Sequence, residues 1–261
     1  MRDDFALEPL LTAWRLVPDG APIVTRSSRL LPVRRGGVRA MLKYTGSAEE
    51  ARGGRLMQWW DGVGAARVLA RRGPAVLLEW AEGGALSNQD DDTASRILCQ
   101  VAARLHATRD RKPPRLVGLA RWFRALAPAA ARHGGILAQA DVVARDLLAH
   151  PRDEVVLHGD LHHGNILDFG PRGWLAIDPK GLLGERGFDH ANLFRNPDPA
   201  TAPGRLAHRA DIVAEAAGLE RDRLLRWVLA VAGLSAAWNL SDGLPAEADL
   251  AVARAAAQAR R

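Results

Sequence analysis

Cysteine is nearly missing from this chain of 261 residues: Cys99 is the only one. A single thiol excludes an internal disulfide and any zinc site built on paired cysteines. Tyrosine is equally scarce, with one residue beside five Phe, so aromatic bulk rests on eight Trp. No uninterrupted apolar run approaches the roughly 18 residues that a membrane span needs. The opening MRDDFALEPLLTAW is acidic early and lacks the basic-then-apolar layout of a secretory signal. A cytoplasmic protein without membrane attachment is therefore expected. Also missing is a G-x-G-x-x-G loop, the pattern that wraps backbone closely around phosphates.

What is present is ordinary for a globular protein, 48% hydrophobic and 25% charged, long enough for one large domain or two lobes sharing a core. The net charge of +6 comes from arginines set among acids, without aromatic interleaving or a nucleic-acid motif. Nucleic acid is not an expected partner.

Periodicity divides the chain near residue 80. Residues 12–45 alternate β-leaning pieces (AWRLV, PIVTR, RLLPVR, VRAMLKY) with turn signals such as PDGAP and RRGG. SAEEARGGRLMQWWDGV reads as a helix with Ser47 and Glu50 forming a capping box, although Gly53 and Gly54 weaken it. ARVLARR and PAVLLEW add two strands. From about residue 88 the pattern is helical, placing Ile97, Leu98, Val101 and Leu105 on one face. One strand-rich island, 154–178, interrupts the helices. The expectation is an α+β, two-lobed layout: a small antiparallel β lobe over 1–80 and a larger helical lobe over 81–261.

VVLHGDLHHGNIL (155–167) decides the chemistry. Binuclear metal hydrolases use H-x-H-x-D-H, but here the order is His158, Asp160, His162, His163, which puts the aspartate in the wrong slot. A kinase catalytic loop has the form H-x-D-x-x-x-x-N, and His158, Asp160 and Asn165 keep that spacing. Asp160 can then reach a substrate hydroxyl as catalytic base while Asn165 reaches a Mg²⁺ ion on the phosphates. The hairpin NILDFGPRGWLAIDPKG turns at FGPRG and delivers a second metal ligand, Asp178. Upstream, Lys43 at a strand end and Glu50 (or Glu49) on the next helix supply the phosphate-anchoring pair. VLLEWAEGG reads as an interlobe connector, where an adenine ring bonds backbone near Glu79 and Ala81.

HGDLHHGNIL, GWLAIDPKGLLGERGFDHANLF and LSAAWN together resemble the aminoglycoside/hydroxyurea phosphotransferases, the streptomycin 6-phosphotransferases in particular, from about Trp14 to the C-terminal helices. The resemblance implies a bilobal, protein-kinase-like fold in which 1–80 binds nucleotide and 81–261 carries the catalytic loop and the acceptor site. It implies an ATP- and Mg²⁺-dependent kinase of small-molecule hydroxyls that confers antibiotic resistance, with Asp160 as base, Asn165 and Asp178 on Mg²⁺, and Lys43 with Glu50 on the phosphates. In place of a glycine loop, VTRSSRLLP would cradle phosphates through backbone N–H groups around Ser27 and Ser28. Lys180 stands where a protein kinase has its Phe-Gly switch, and no segment looks like an activation loop, so constitutive activity is expected. A dicationic acceptor calls for carboxylates. Glu185, Asp189, Asp198 and Asp242 are candidates, with Trp238 as a cation–π face. Hydroxyurea, a metabolic sugar or an amino alcohol are alternative acceptors, and a nucleotide-binding pseudokinase is the non-enzymatic alternative. A monomer or weak dimer is expected.

Overall fold

The computed structural model describes residues 7–25, 27–198 and 200–260. Helix α1 (Glu8–Trp14) opens the chain where the sequence reads as strand from Ala13. Arg15, in the left-handed region at φ 53, ends that helix and turns the chain into β1 (Leu16–Pro18). β2 (Ile23–Val24), β3 (Ser28–Arg35) and β4 (Val38–Thr45) follow. Gly36 and Gly37, both at positive φ, make the tight β3–β4 turn that RRGG signals. After helix α2 (Ala48–Trp60), β5 (Val68–Arg72) and β6 (Ala75–Glu79) complete an antiparallel sheet of order β1-β3-β4-β6-β5, with β2 paired to β3.

Ser47 caps α2 by accepting from the Glu50 N–H at 3.5 Å. The reciprocal half of the capping box does not form. Thr45 Oγ1 takes the Ser47 N–H at 3.0 Å, and the Glu50 carboxylate turns toward lysines instead. Two glycines inside a helix each cost about 1 kcal/mol relative to alanine. Here they permit contact: a Cβ on Gly53 would lie 2.0 Å from the Pro179 carbonyl oxygen, and one on Gly54 would lie 2.9 Å from Val76. The sequence signal that weakened the helix marks its closest packing.

The helical part begins with α3 (Asp91–His106), capped by Asp90 accepting from Thr93 N–H at 3.0 Å. Leu98, Val101 and Leu105 are buried along its predicted face, and Ile97 packs at the edge of the same core. β7 (Val117–Gly118) leads into α4 (Leu119–Trp122), α5 (Leu126–His133) and α6 (Gly135–Ala149). The strand island holds β8 (Glu154–Leu157), β9 (Ile166–Asp168) and β10 (Trp174–Ala176), and extends past its expected end to β11 (Leu182–Glu185). β9 and β10 form a hairpin, while β11 joins β8 antiparallel and β7 parallel. α7 (Gly187–Ala191), α8 (Ala202–Ala217), α9 (Arg221–Ser241) and α10 (Glu247–Ala259) close the chain.

α9 is long and apolar enough by composition to cross a membrane. Residues 227–237 are all buried, and α5, α6, α7 and α10 pack around it. A helix apolar on every side is the expected axis of such a core. The result is an α+β fold in which a small antiparallel sheet faces a helical body.

Candidate active site

The loop that joins β8 to β9 carries Asp160, and it is held from beneath. Asp189, on α7 and 0% exposed, accepts the His158 and Gly159 N–H groups at 2.8 Å each and meets His106 Nε2 at 2.8 Å. Burial opposes the Asp189 charge, but His106 and these hydrogen bonds hold its carboxyl below the usual range. Gly159 sits at φ 90, where a Cβ would press on Leu182 at 2.9 Å and Lys180 at 3.0 Å. His158 accepts the Asp160 N–H on Nδ1 at 3.2 Å, so its Nε2 donates to the Ile177 carbonyl at 2.8 Å. Burial keeps this ring neutral by lowering its pKa.

That geometry answers the zinc reading. Both His158 nitrogens are spent, His162 Nδ1 caps Gly164 N–H at 3.0 Å, and His163 is buried elsewhere with its pKa pushed down to about 4 by burial and by Arg209. Among the described residues no group of three His, Cys, Asp or Glu is placed to hold a metal. Asn165 and Asp178 supply a different donor set. Asn165 Nδ2 donates to the Asp160 carbonyl at 2.8 Å, which leaves Oδ1 as the uncommitted end of the amide. The Ile177 N–H to Asn165 carbonyl bond, 2.9 Å, ties this loop to the strand that delivers Asp178. An amide oxygen and a carboxylate are hard donors suited to Mg²⁺, which takes one or two protein ligands and completes its shell with phosphate and water.

Asp178 adopts φ 62, a left-handed conformation costly for a residue with a side chain and typical of functional positions. Its carboxylate meets Lys43, which also contacts Glu50 at 2.5 Å. Burial works against the Asp178 charge, while Lys43 and Lys180 outweigh it and lower its pKa. The sequence reading missed Lys180 as a site residue. Lys180 Nζ donates to Glu50 Oε1 at 2.8 Å and lies 3.9 Å from Asp160 Oδ2, linking the two acids. Burial opposes its charge, but Asp178, Glu50 and Asp160 raise its pKa to about 12, so it stays cationic. Its place two residues after Asp178 was the available signal.

Two cavities adjoin these groups, and Lys180 lines the second. The first, about 360 Å³, has Lys43, Glu50 and Asp178 at one end and apolar walls from Met41, Val76, Leu78, Leu167, Phe169 and Ile177. Glu79, Trp80 and Ala81 line it on the connector. The Glu79 carboxylate accepts the Arg67 N–H at 2.5 Å and pairs with Arg172, so that side chain braces the connector. Ser28 also lines this cavity, but its N–H donates to Thr25 Oγ1 at 3.0 Å. Its buried hydroxyl, unpartnered among the described residues, is what it can offer, which corrects the backbone cradle expected there. Ser27 is exposed and gives its carbonyl to Thr45 Oγ1 at 2.8 Å. The second cavity, about 330 Å³, is lined by Asp160, Lys180, Glu49, Trp122, Asn192, Arg195, Ser235 and Trp238.

Residues 13–243 match the model of the aminoglycoside/hydroxyurea antibiotic resistance kinases. The chain belongs to that family. It is 54% identical to a streptomycin 3″-kinase of Klebsiella pneumoniae, an alignment covering 88% of this chain and 91% of that protein. It is 33% identical to a streptomycin 6-kinase of Streptomyces glaucescens, over 91% and 83%, and 34% identical to a hydroxyurea phosphotransferase of Kitasatospora aureofaciens, over 93% and 75%. The similarity to a 3″-kinase thus exceeds that to a 6-kinase. In fold, it is similar to aminoglycoside phosphotransferase APH(4)-Ia, solved as a ternary complex with ADP and hygromycin B, at a TM-score of 0.69, 17% identity and 97% coverage of each chain. Macrolide 2′-phosphotransferase MphH of Brachybacterium faecium gives 0.63, with 16% identity and 98% coverage of each.

In the structure of this kinase none of the four expected acceptor acids lines the second cavity. Glu185, 4% exposed, has both oxygens filled by Arg223 (2.7 and 2.5 Å), Trp227 Nε1 (2.7 Å) and the Arg152 N–H (3.0 Å). It closes β11 onto α9 and lines neither cavity. Asp189 likewise spends its oxygens beneath the catalytic loop. Asp198 caps Ala200 N–H and bonds Thr201 at 3.0 Å each, and Asp242 ends α9; neither lines the second cavity. Of the predicted acceptor residues, Trp238 alone is there, and the acids beside it are Glu49 and Asp160.

Proposed function

We propose that this kinase transfers the γ-phosphoryl group of ATP to a hydroxyl of a streptomycin-type aminoglycoside, the 3″ hydroxyl, and so inactivates the antibiotic. The 54% identity to a streptomycin 3″-kinase carries the choice of acceptor. The paired cavities support the reaction, because Asp160 lines one, Lys43 and Asp178 line the other, and Lys180 touches acids of both. On this reading residues 1–80 bind the nucleotide, residues 81–261 supply the catalytic loop and acceptor site, and the enzyme works as a monomer or weak dimer in the cytoplasm.

Asp160 orients the acceptor hydroxyl and takes its proton as the oxygen bonds to the γ-phosphorus and the bond to the bridging oxygen of ADP breaks. Lys43 shifts from Asp178 to the α- and β-phosphates, and Glu50 keeps it aimed. Asn165 and Asp178 would hold Mg²⁺, which supplies charge neutralisation for the triphosphate. The apolar walls of the first cavity take the adenine ring, with the backbone near Ala81 at its edge. The Ser28 hydroxyl offers a donor to the nucleotide. Catalysis is then mostly positioning and electrostatics.

An acceptor panel of streptomycin, hygromycin B, hydroxyurea, a hexose and ethanolamine with Mg·ATP, read by product mass, tests this reading. Phosphorylation of streptomycin alone, at 3″ by phosphorus–proton NMR, is the expected result. Turnover of hydroxyurea or ethanolamine in preference, or ATP binding without transfer to any acceptor, would refute it.

A further inference from the structure

Asn192 begins the 3₁₀ turn Asn192–Arg195 after α7 and lines the second cavity. It is 5% exposed, and its Nδ2 has no hydrogen-bond partner among the described residues. Its backbone carbonyl accepts from Asn196 at 3.0 Å, but the carboxamide itself is uncommitted. A buried amide donor left unmade costs about 1–3 kcal/mol, so such groups are rare unless something else completes them. The nearby cation is already answered: Arg195 pairs with Asp249 at 2.6 Å, and Asp249 also takes Asn239 Nδ2 at 2.7 Å. On another side Trp122 and Trp238 meet edge to face, with ring centroids 5.4 Å apart at 82°.

We propose that Asn192 selects the acceptor, its carboxamide hydrogen-bonding a neutral oxygen of a hydroxylated ring whose C–H face lies against the Trp122–Trp238 pair. The proposal rests on the second cavity being the acceptor site. A sugar ring fits this chemistry, since it carries hydroxyls on its edge and C–H bonds on its faces. The cavity offers two acids, Glu49 and Asp160, rather than a cage of carboxylates. Recognition therefore divides between charge at those acids and hydrogen bonding at Asn192. An acceptor lacking the oxygen would leave the amide unpaired, which gives selectivity beyond what an apolar wall provides.

Asn192→Leu and Asn192→Ala, assayed with whichever acceptor of the panel the wild type phosphorylates, test the proposal. The acceptor KM should rise about three- to tenfold, the value of one lost hydrogen bond. The KM for ATP should stay within twofold, and Asn192→Leu should melt no lower than the wild type, because an unpaired buried polar group has been removed. An unchanged acceptor KM in either folded variant overturns the proposal, as does a joint loss of Tm and of both KM values. Failure of the wild type on streptomycin would refute the choice of antibiotic, while the effect on the acceptor actually used still decides the role of Asn192.

Discussion

Lys180 is the residue on which the two halves of the site converge. It touches Glu50 at 2.8 Å, faces Asp160 at 3.9 Å and remains protonated because Asp178, Glu50 and Asp160 outweigh its burial. A fixed cation between donor and acceptor stabilises charge on the moving phosphoryl group, and removing one such group typically costs about 10²–10³ in kcat. Lys180→Met should show a loss of that size with both KM values little changed, and Lys180→Arg should recover part of it. A kcat within a factor of a few of wild type in a folded Lys180→Met enzyme would remove it from the chemistry. Glu185 shows the opposite case. Its acid lies a few residues past Asp178 in an apolar, glycine-rich stretch, which the sequence makes look like an acceptor ligand. Its partner Arg223 lies 38 residues away, and no local pattern reveals that pair. Weakening a buried pair costs about 3–5 kcal/mol, so Glu185→Gln should lower Tm by roughly 10 °C while leaving the acceptor KM unchanged. Thermal melts and steady-state kinetics on one preparation separate the two roles.

Among the elements, α2 and the loop from His158 to Asn165 show what can be read from sequence. The loop keeps Asp160 and Asn165 five residues apart, so their relation is local and legible. Lys43 and Glu50 could be paired because chain order places a strand before a helix, although their contact is tertiary. α1 was not legible, because the β-leaning residues near Trp14 hid a short helix that Arg15 ends by turning left-handed. Asn192 escaped for the same reason as Arg223: its neighbours are set by how α7 and α9 meet, not by spacing. In α2 itself, Gly53 approaches Pro179, next to Asp178, more closely than any side chain allows. Gly53→Ala should push α2, and with it Glu50, away from Asp178, lowering turnover by about 10², the cost of misplacing a group by an ångström. Gly54→Ala, which meets a single Val76 methyl at 2.9 Å rather than backbone, should cost less. Equal activity of the two variants would show that the close approach does not position Glu50.

For the molecule as a whole, buried histidines are expected to add to its loss of stability in acid. His190, on α7, is pushed down to about 4, first by burial and then by His106, against 6.5 for a free histidine. Between those values the unfolded chain takes up a proton that the folded chain refuses, so stability falls as pH drops from 6.5 toward 4, by about 3 kcal/mol for this group. Above 6.5 the group contributes no further pH dependence. Urea unfolding at pH 7.5, 6 and 4.5 should show this loss, and His190→Gln should reduce it; an identical slope in the variant would assign the acid loss elsewhere. On the function proposed above, Asp160 and the groups around it move a phosphoryl group from ATP to streptomycin. The most direct measurement is a single-turnover assay of wild type and Asp160→Asn with Mg·ATP and saturating streptomycin, alongside nucleotide binding by calorimetry. Wild type should form streptomycin phosphate, and Asp160→Asn should bind nucleotide normally while losing about 10²–10⁴ in rate. Normal transfer by Asp160→Asn, or no streptomycin phosphate from wild type, would contradict it.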